Sequence, residues 1–121
     1  MENFFIFMLL IHWLADFALQ TEKQATQKST NITQLTFHVL TYTLVWFMAI
    51  WVYQGNIENA LKFSAITFVS HWLTDFTTSR VGKPYWDSGD YHNGFTIVGF
   101  DQILHYIQLY YTFKYICPEF L

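Results

Sequence analysis

Histidine and aspartate stand four residues apart at three places in this 121-residue chain: His12 with Asp16, His71 with Asp75 and, in reversed order, Asp101 with His105. On a helix this spacing puts both heads on one face about one turn apart, where they can converge on a single atom. His38 adds a fourth imidazole within HVLTY, residues 38–42. Imidazole and carboxylate together suit zinc, manganese or iron, and the single cysteine, Cys117, argues against thiolate ligation and against a disulfide scaffold. Seven candidate metal ligands exceed the four that a tetrahedral zinc takes. They fit two metal ions sharing a carboxylate, or one ion surrounded by further Asp–His pairs. A hydrogen-bonded His–Asp network, or an ion pathway, is the alternative reading of the same set.

These residues need helices to position them. HWLADF at 12–17 and HWLTDF at 71–76 are near copies, offset by about one helical hairpin, which suggests a duplicated two-helix unit. Four apolar stretches, at about 3–20, 35–53, 59–76 and 95–116, are each long enough to cross roughly 30 Å of hydrocarbon. The predicted fold is all-α: an antiparallel four-helix transmembrane bundle of two hairpins, occupying residues 1–121 as one integral membrane domain. Residues 21–34 form a polar connection, 54–58 a short turn around Gly55, and 77–93 the longest loop, with Gly82, Pro84 and Gly89 as breakers. Antiparallel geometry then places Asp16, Asp75 and Asp101 nearer the two long loops than His12, His71 and His105. His38 comes to about the level of the carboxylates.

Composition supports a bilayer setting. Only 12% of residues are charged, against roughly 25% in globular chains. A soluble core of this size could not enclose 13 Phe, 8 Tyr and 5 Trp. High hydrophobicity excludes disorder, and a net charge of -3 offers no basic face for nucleic acid. The first stretch lacks the positive n-region of a signal peptide and is interrupted by His12 and Asp16, so it reads as a retained helix. Lys23, Lys28, Arg80 and Lys83 outnumber Lys62 and Lys114 and place the two long loops in the cytoplasm. An aspartate at a membrane helix centre costs roughly 2.5–3.5 kcal/mol. With almost no Lys or Arg inside the spans, a metal is the expected counter-charge.

HWLADFALQ at 12–20, HVLTY at 38–42, HWLTDF at 71–76 and DQILH at 101–105 resemble the DUF3307 family, small integral membrane proteins of bacteria and bacteriophages. The pattern is more distantly similar to membrane-bound metal-dependent hydrolases. The resemblance implies a bacterial inner membrane protein and marks His12, Asp16, Gln20, His38, His71, Asp75, Asp101, Gln102 and His105. The expected function is a metal-dependent hydrolase with one or two divalent ions, zinc before manganese or iron. A metal-bound water would attack a phosphoester or other lipid-like substrate, with Asp16 or Asp101 taking the proton. Alternatives are a non-catalytic interaction protein with a structural metal, an ion pathway in a homo-oligomer, and, lower, a di-iron oxidase, whose ExxH or HxxxH patterns are absent. Gln20, Gln102, Thr41 and Tyr42 are expected to orient the cluster. His92 is expected in solvent, Trp13 and Trp72 in packing, and Tyr106, Tyr110, Tyr111 and Tyr115 in an interfacial belt.

Overall fold

The computed structural model describes residues 3–121 and is helical throughout, with no strand among the described residues. Helix α1 (Phe4–Trp13) runs directly into a π-helical turn, Leu14–Ala18. A short helix α2 (Glu22–Gln27) follows, then α3 (Ile32–Gln54), α4 (Ile57–Ser88) and α5 (Tyr91–Ile116), and a 3-10 turn, Pro118–Phe120. The main packing partners are α3 with α4 and α4 with α5, and α1 lies against α3.

Local chemistry sets the helix ends. Asn31 accepts hydrogen bonds from the backbone N–H of Thr33 and Gln34 and opens α3. The polar connection carries a capping box: the Thr21 hydroxyl accepts from Gln24 N–H while the Gln24 amide oxygen accepts from Thr21 N–H. Two hairpins use the same two-residue device. Gly55 (φ 68) ends α3 in the left-handed region that glycine tolerates, and Asn56 caps α4 by accepting from Asn59 N–H. Gly89 (φ 75) and Asp90 repeat it between α4 and α5, with Asn93 N–H as donor. Both turns read Gly-Asx-x-x-Asn in the sequence.

The loop expected at 77–93 is a correction. Residues 77–88 continue α4, and only Gly89 and Asp90 separate it from α5. Tertiary packing outweighs the breakers. Gly82 is buried and lets Ile97 approach, and Gly94 receives the Trp86 indole so closely that a Cβ would lie 2.9 Å from two ring carbons. The Arg80 guanidinium sits 3.7 Å from the centre of the Phe76 ring. Lys83 pairs with Asp87 one turn on. Pro84 removes one ladder hydrogen bond without ending the helix.

The interior has two zones. Near one end, Phe4, Phe7, Trp46, Phe63, Phe113 and Phe120 pack edge to face, with Phe4 to Phe113 at 4.9 Å and Phe63 to Phe113 at 4.7 Å between centroids. Above that floor the buried residues turn polar: His12, Asp16, His38, His71, Asp75, Asp101 and His105. Leucine, isoleucine and phenylalanine face outward on every long helix, including Phe5, Leu44, Leu73 and Phe100. Among the described residues α3 is the helix long and apolar enough to cross a membrane, and Phe4–Ala18 is apolar but shorter.

Candidate metal centre

The first hexapeptide copy does not keep regular helix geometry. Leu19 N–H reaches back five residues to the Leu14 carbonyl, so Asp16 sits in a wider turn than its counterpart Asp75 in α4. π turns of this kind recur at functional sites because they re-aim a side chain without breaking the helix. Here the turn sends the Asp16 carboxylate to α3. His38 Nε2 lies 3.0 Å from Asp16 Oδ1 and 3.2 Å from Asp75 Oδ2. His71 Nε2 lies 3.4 Å from each of those oxygens and 3.2 Å from His38 Nε2. Four atoms on three helical segments thus surround one point.

Their spacing is compatible with coordination of one ion. A tetrahedral zinc with nitrogen and oxygen ligands at about 2.0–2.1 Å has ligands about 3.3–3.4 Å apart. Five of the six edges here run from 3.0 to 3.4 Å. A hydrogen-bonded version would ask two Nε2 atoms, each with at most one proton, to serve two carboxylate oxygens and each other. Asp16, His38, His71 and Asp75 can therefore hold a metal ion, and Asp16, Asp101 and His105 form a second such group that shares Asp16. His105 Nε2 is 3.0 Å from Asp75 Oδ1 and 3.1 Å from Asp101 Oδ2, so Asp75 also faces both groups.

His12 stands one step out. Its Nδ1 is 2.8 Å from the Tyr42 hydroxyl, its Nε2 is 2.7 Å from the Gln102 amide oxygen, and Asp16 Oδ2 is 3.5 Å away. Gln102 donates to Asp16 Oδ2 and Asp101 Oδ2, both at 3.1 Å, and so ties three members of the cluster together. Tyr42 also lies 3.9 Å, ring to ring, from His71. Thr41 bonds its own helix at the Phe37 carbonyl and takes no part. His92 is exposed near the start of α5. Trp13 is exposed, whereas Trp72 donates to the Thr36 hydroxyl and stacks on Phe76. Tyr110, Tyr111 and Tyr115 are exposed, and Tyr106 instead packs against the His12 ring at 4.9 Å.

Two residues were missed by sequence reasoning. Lys28, in the first connection, brings its Nζ 3.0 Å from Asp75 Oδ2 and 3.2 Å from Gln20 Oε1. The spans themselves hold almost no Lys or Arg, but this residue of the connection supplies part of the counter-charge expected from a metal alone. Burial opposes its charge, but Asp75, then Asp16 and Asp101, outweigh this and hold its pKa above the ordinary 10.5. Three carboxylates and one ammonium leave two formal negative charges when the imidazoles are neutral, which one divalent ion balances. The other is Thr78, whose hydroxyl is 2.5 Å from Asp101 Oδ1. The signal for it was its place one turn after Asp75 and Thr74. Cys117 is no rival nucleophile, since burial pushes its thiol up to about 12.

A cavity of about 590 Å³ opens from this cluster toward α2 and the far ends of α4 and α5. Asp16, Asp101 and Gln102 form its inner wall, Lys28 and Lys83 line its sides, and Phe17, Trp86 and Ile97 supply apolar surface. Asp101 is the most open of the three carboxylates, its side chain 12% exposed against 4% for Asp16 and 1% for Asp75.

Fold and site together define an all-helical protein with a buried His–Asp centre able to take a metal ion. The chain belongs to the DUF3307 family, described as proteins of unknown function, whose model matches residues 4–119. No curated protein and no solved structure matches it. The family match carries no hydrolase assignment.

Proposed function

We propose that this chain is an integral membrane protein, a four-helix transmembrane bundle, and that it is a zinc-dependent hydrolase of phosphoester-bearing, lipid-like substrates. The observation that carries the proposal is the set of four ligand atoms, from Asp16, His38, His71 and Asp75, with five of their six separations between 3.0 and 3.4 Å. The combination of a buried His–Asp cluster with a largely apolar exterior supports the bilayer setting, because intramembrane carboxylates are tolerated where they face a bundle interior. At 32 residues α4 is about 48 Å long and would carry Arg80 and Lys83 beyond a 30 Å hydrocarbon layer, on the side of α2 with Lys23 and Lys28. That side is assigned to the cytoplasm of a bacterial inner membrane.

A divalent ion in this centre supplies Lewis acidity and an acidified water. The chain's own residues do the rest. Asp101, at the cavity wall and held by Thr78 and Gln102, is the proton acceptor. Lys28 and Lys83, paired with Asp75 and Asp87, would turn to the phosphate when it binds, and Gln102 keeps Asp16 and His12 in register. Purified protein in detergent is expected to carry one zinc per chain by elemental analysis. His38→Ala and His71→Ala should lose it while His92→Ala keeps it. Asp101→Asn should keep zinc but lose p-nitrophenyl phosphate hydrolysis. A metal-free, folded wild type would overturn the proposal.

Lys28 favours one competing reading. Its ammonium already neutralises part of the cluster, so a closed Lys–Asp–His network could fix the bundle without metal. In that case zinc is absent and Lys28→Met, more than His71→Ala, unfolds the protein.

A further inference from the structure

A second cavity, about 420 Å³, lies on the outer face of the α4–α5 hairpin. Leu73, Thr77 and Val81 on α4 face Ile97, Phe100 and Leu104 on α5, and no ionisable side chain lines it. Thr78 and Ile97 belong to both this groove and the polar cavity, so the two spaces meet at those residues. Thr78 is the partition: it borders both spaces, and its hydroxyl donates to Asp101. The cavity wall at Asp101 is therefore one side chain away from a lateral, apolar opening.

The run of the groove has a direction. From Val81 back to Leu73, α4 descends about 12 Å from the cytoplasmic side toward the middle of the bilayer. A lipid in the cytoplasmic leaflet lies the same way, head up and chain down. The charged groups sit at the head end: Lys28, bonded to Asp75, and Lys83, paired with Asp87, beside Ser79, whose buried hydroxyl has no hydrogen-bond partner. Below Thr78 the groove carries no charge, only the Thr74 and Thr77 hydroxyls among apolar side chains.

We infer that the α4–α5 groove holds one acyl chain of a membrane lipid phosphate ester, which enters the site sideways from the bilayer with its phosphate in the cavity beside Asp101. This inference rests on the membrane-embedded reading above and adds to it the seat of the acyl chain and the route of entry. The bond to be cleaved then lies at the Thr78 partition, with the polar part on the cytoplasmic side and the chain still in the groove.

The test uses full-length protein in phosphatidylcholine vesicles containing a minor fraction of phosphatidic acid with a photoreactive diazirine at mid-chain. Labelled peptides should map to α4 and α5, and excess unlabelled phosphatidic acid should suppress that labelling where phosphatidylcholine does not. Val81→Trp and Leu104→Trp, which fill the groove, should each cut the competable labelling at least about tenfold, the weight of two methylene groups withdrawn from burial. Leu44→Trp on the exposed face of α3 should leave it unchanged. Uniform, non-competable labelling of α3 and α5, or labelling indifferent to both filling variants, overturns the inference. Should a tryptophan variant fail to fold, the wild-type peptide map decides. Zinc content is measured on the same samples: competable groove labelling in a zinc-free protein removes the metal reading and leaves the groove standing.

Discussion

Gln102 ties three members of the centre together from outside the four-atom set: its amide oxygen takes His12, and its nitrogen serves Asp16 and Asp101. Groups behind metal ligands commonly carry 10–100-fold of affinity. Gln102→Leu is accordingly expected to weaken zinc binding by about 10–100-fold in a competitive chelator titration, with helicity by circular dichroism unchanged. Lys28 gives a pH signature. A folded-state pKa raised above 10.5 means that its contribution to stability is complete below that value and is lost as pH climbs through the raised one. The Tm difference between wild type and Lys28→Met, measured without metal, should stay constant from neutral pH to about 10 and shrink above it. The three His–Asp pairs and His38 were legible from spacing alone, because side chains four apart share a helix face. The outward place of His12 was not. HWLADF and HWLTDF look equivalent, yet only the first contains the π turn that swings its aspartate toward α3. Lys28 was illegible for another reason, since its contact with Asp75 spans forty-seven positions that no local pattern encodes.

At the level of elements, glycine does two opposite things in the α4–α5 hairpin. Gly89 permits a left-handed turn, while Gly94 permits contact with the Trp86 ring. Gly94→Ala puts a methyl group 2.9 Å from ring carbons and is expected to destabilise by about 1–3 kcal/mol in chemical denaturation. Gly99→Ala meets nothing within 4 Å and should be neutral or stabilising by up to about 1 kcal/mol from helix propensity. The four long segments were readable from their apolar runs, with the short turn at Gly55 where expected. The end of α4 was misjudged because Gly82, Pro84 and Gly89 were weighed alike. What separates them is partnership: Gly82 is packed by Ile97, and Pro84 sits on an exposed face where one lost hydrogen bond is tolerable. The repeated Gly-Asx-x-x-Asn pattern, present at 55–59 and 89–93, marked both true ends.

The molecule as a whole combines an aromatic floor at one end with a buried His–Asp cluster above it, and carries large apolar side chains such as Phe5, Phe37, Phe95 and Phe100 on its exterior. In a bacterial host it is expected to stay in the membrane pellet after alkaline carbonate washing and to leave it only with detergent. Recovery in the wash supernatant would return the apolar exterior to the role of a protein–protein interface. The aromatic packing of Phe4, Phe63, Phe113 and Phe120 seals the opposite end of the bundle from the cavity. The chamber instead opens toward α2 and the adjoining ends of α4 and α5. On the proposed hydrolase reading, spent material would leave by the doorway through which fresh substrate comes, and emptying would compete with refilling at one threshold.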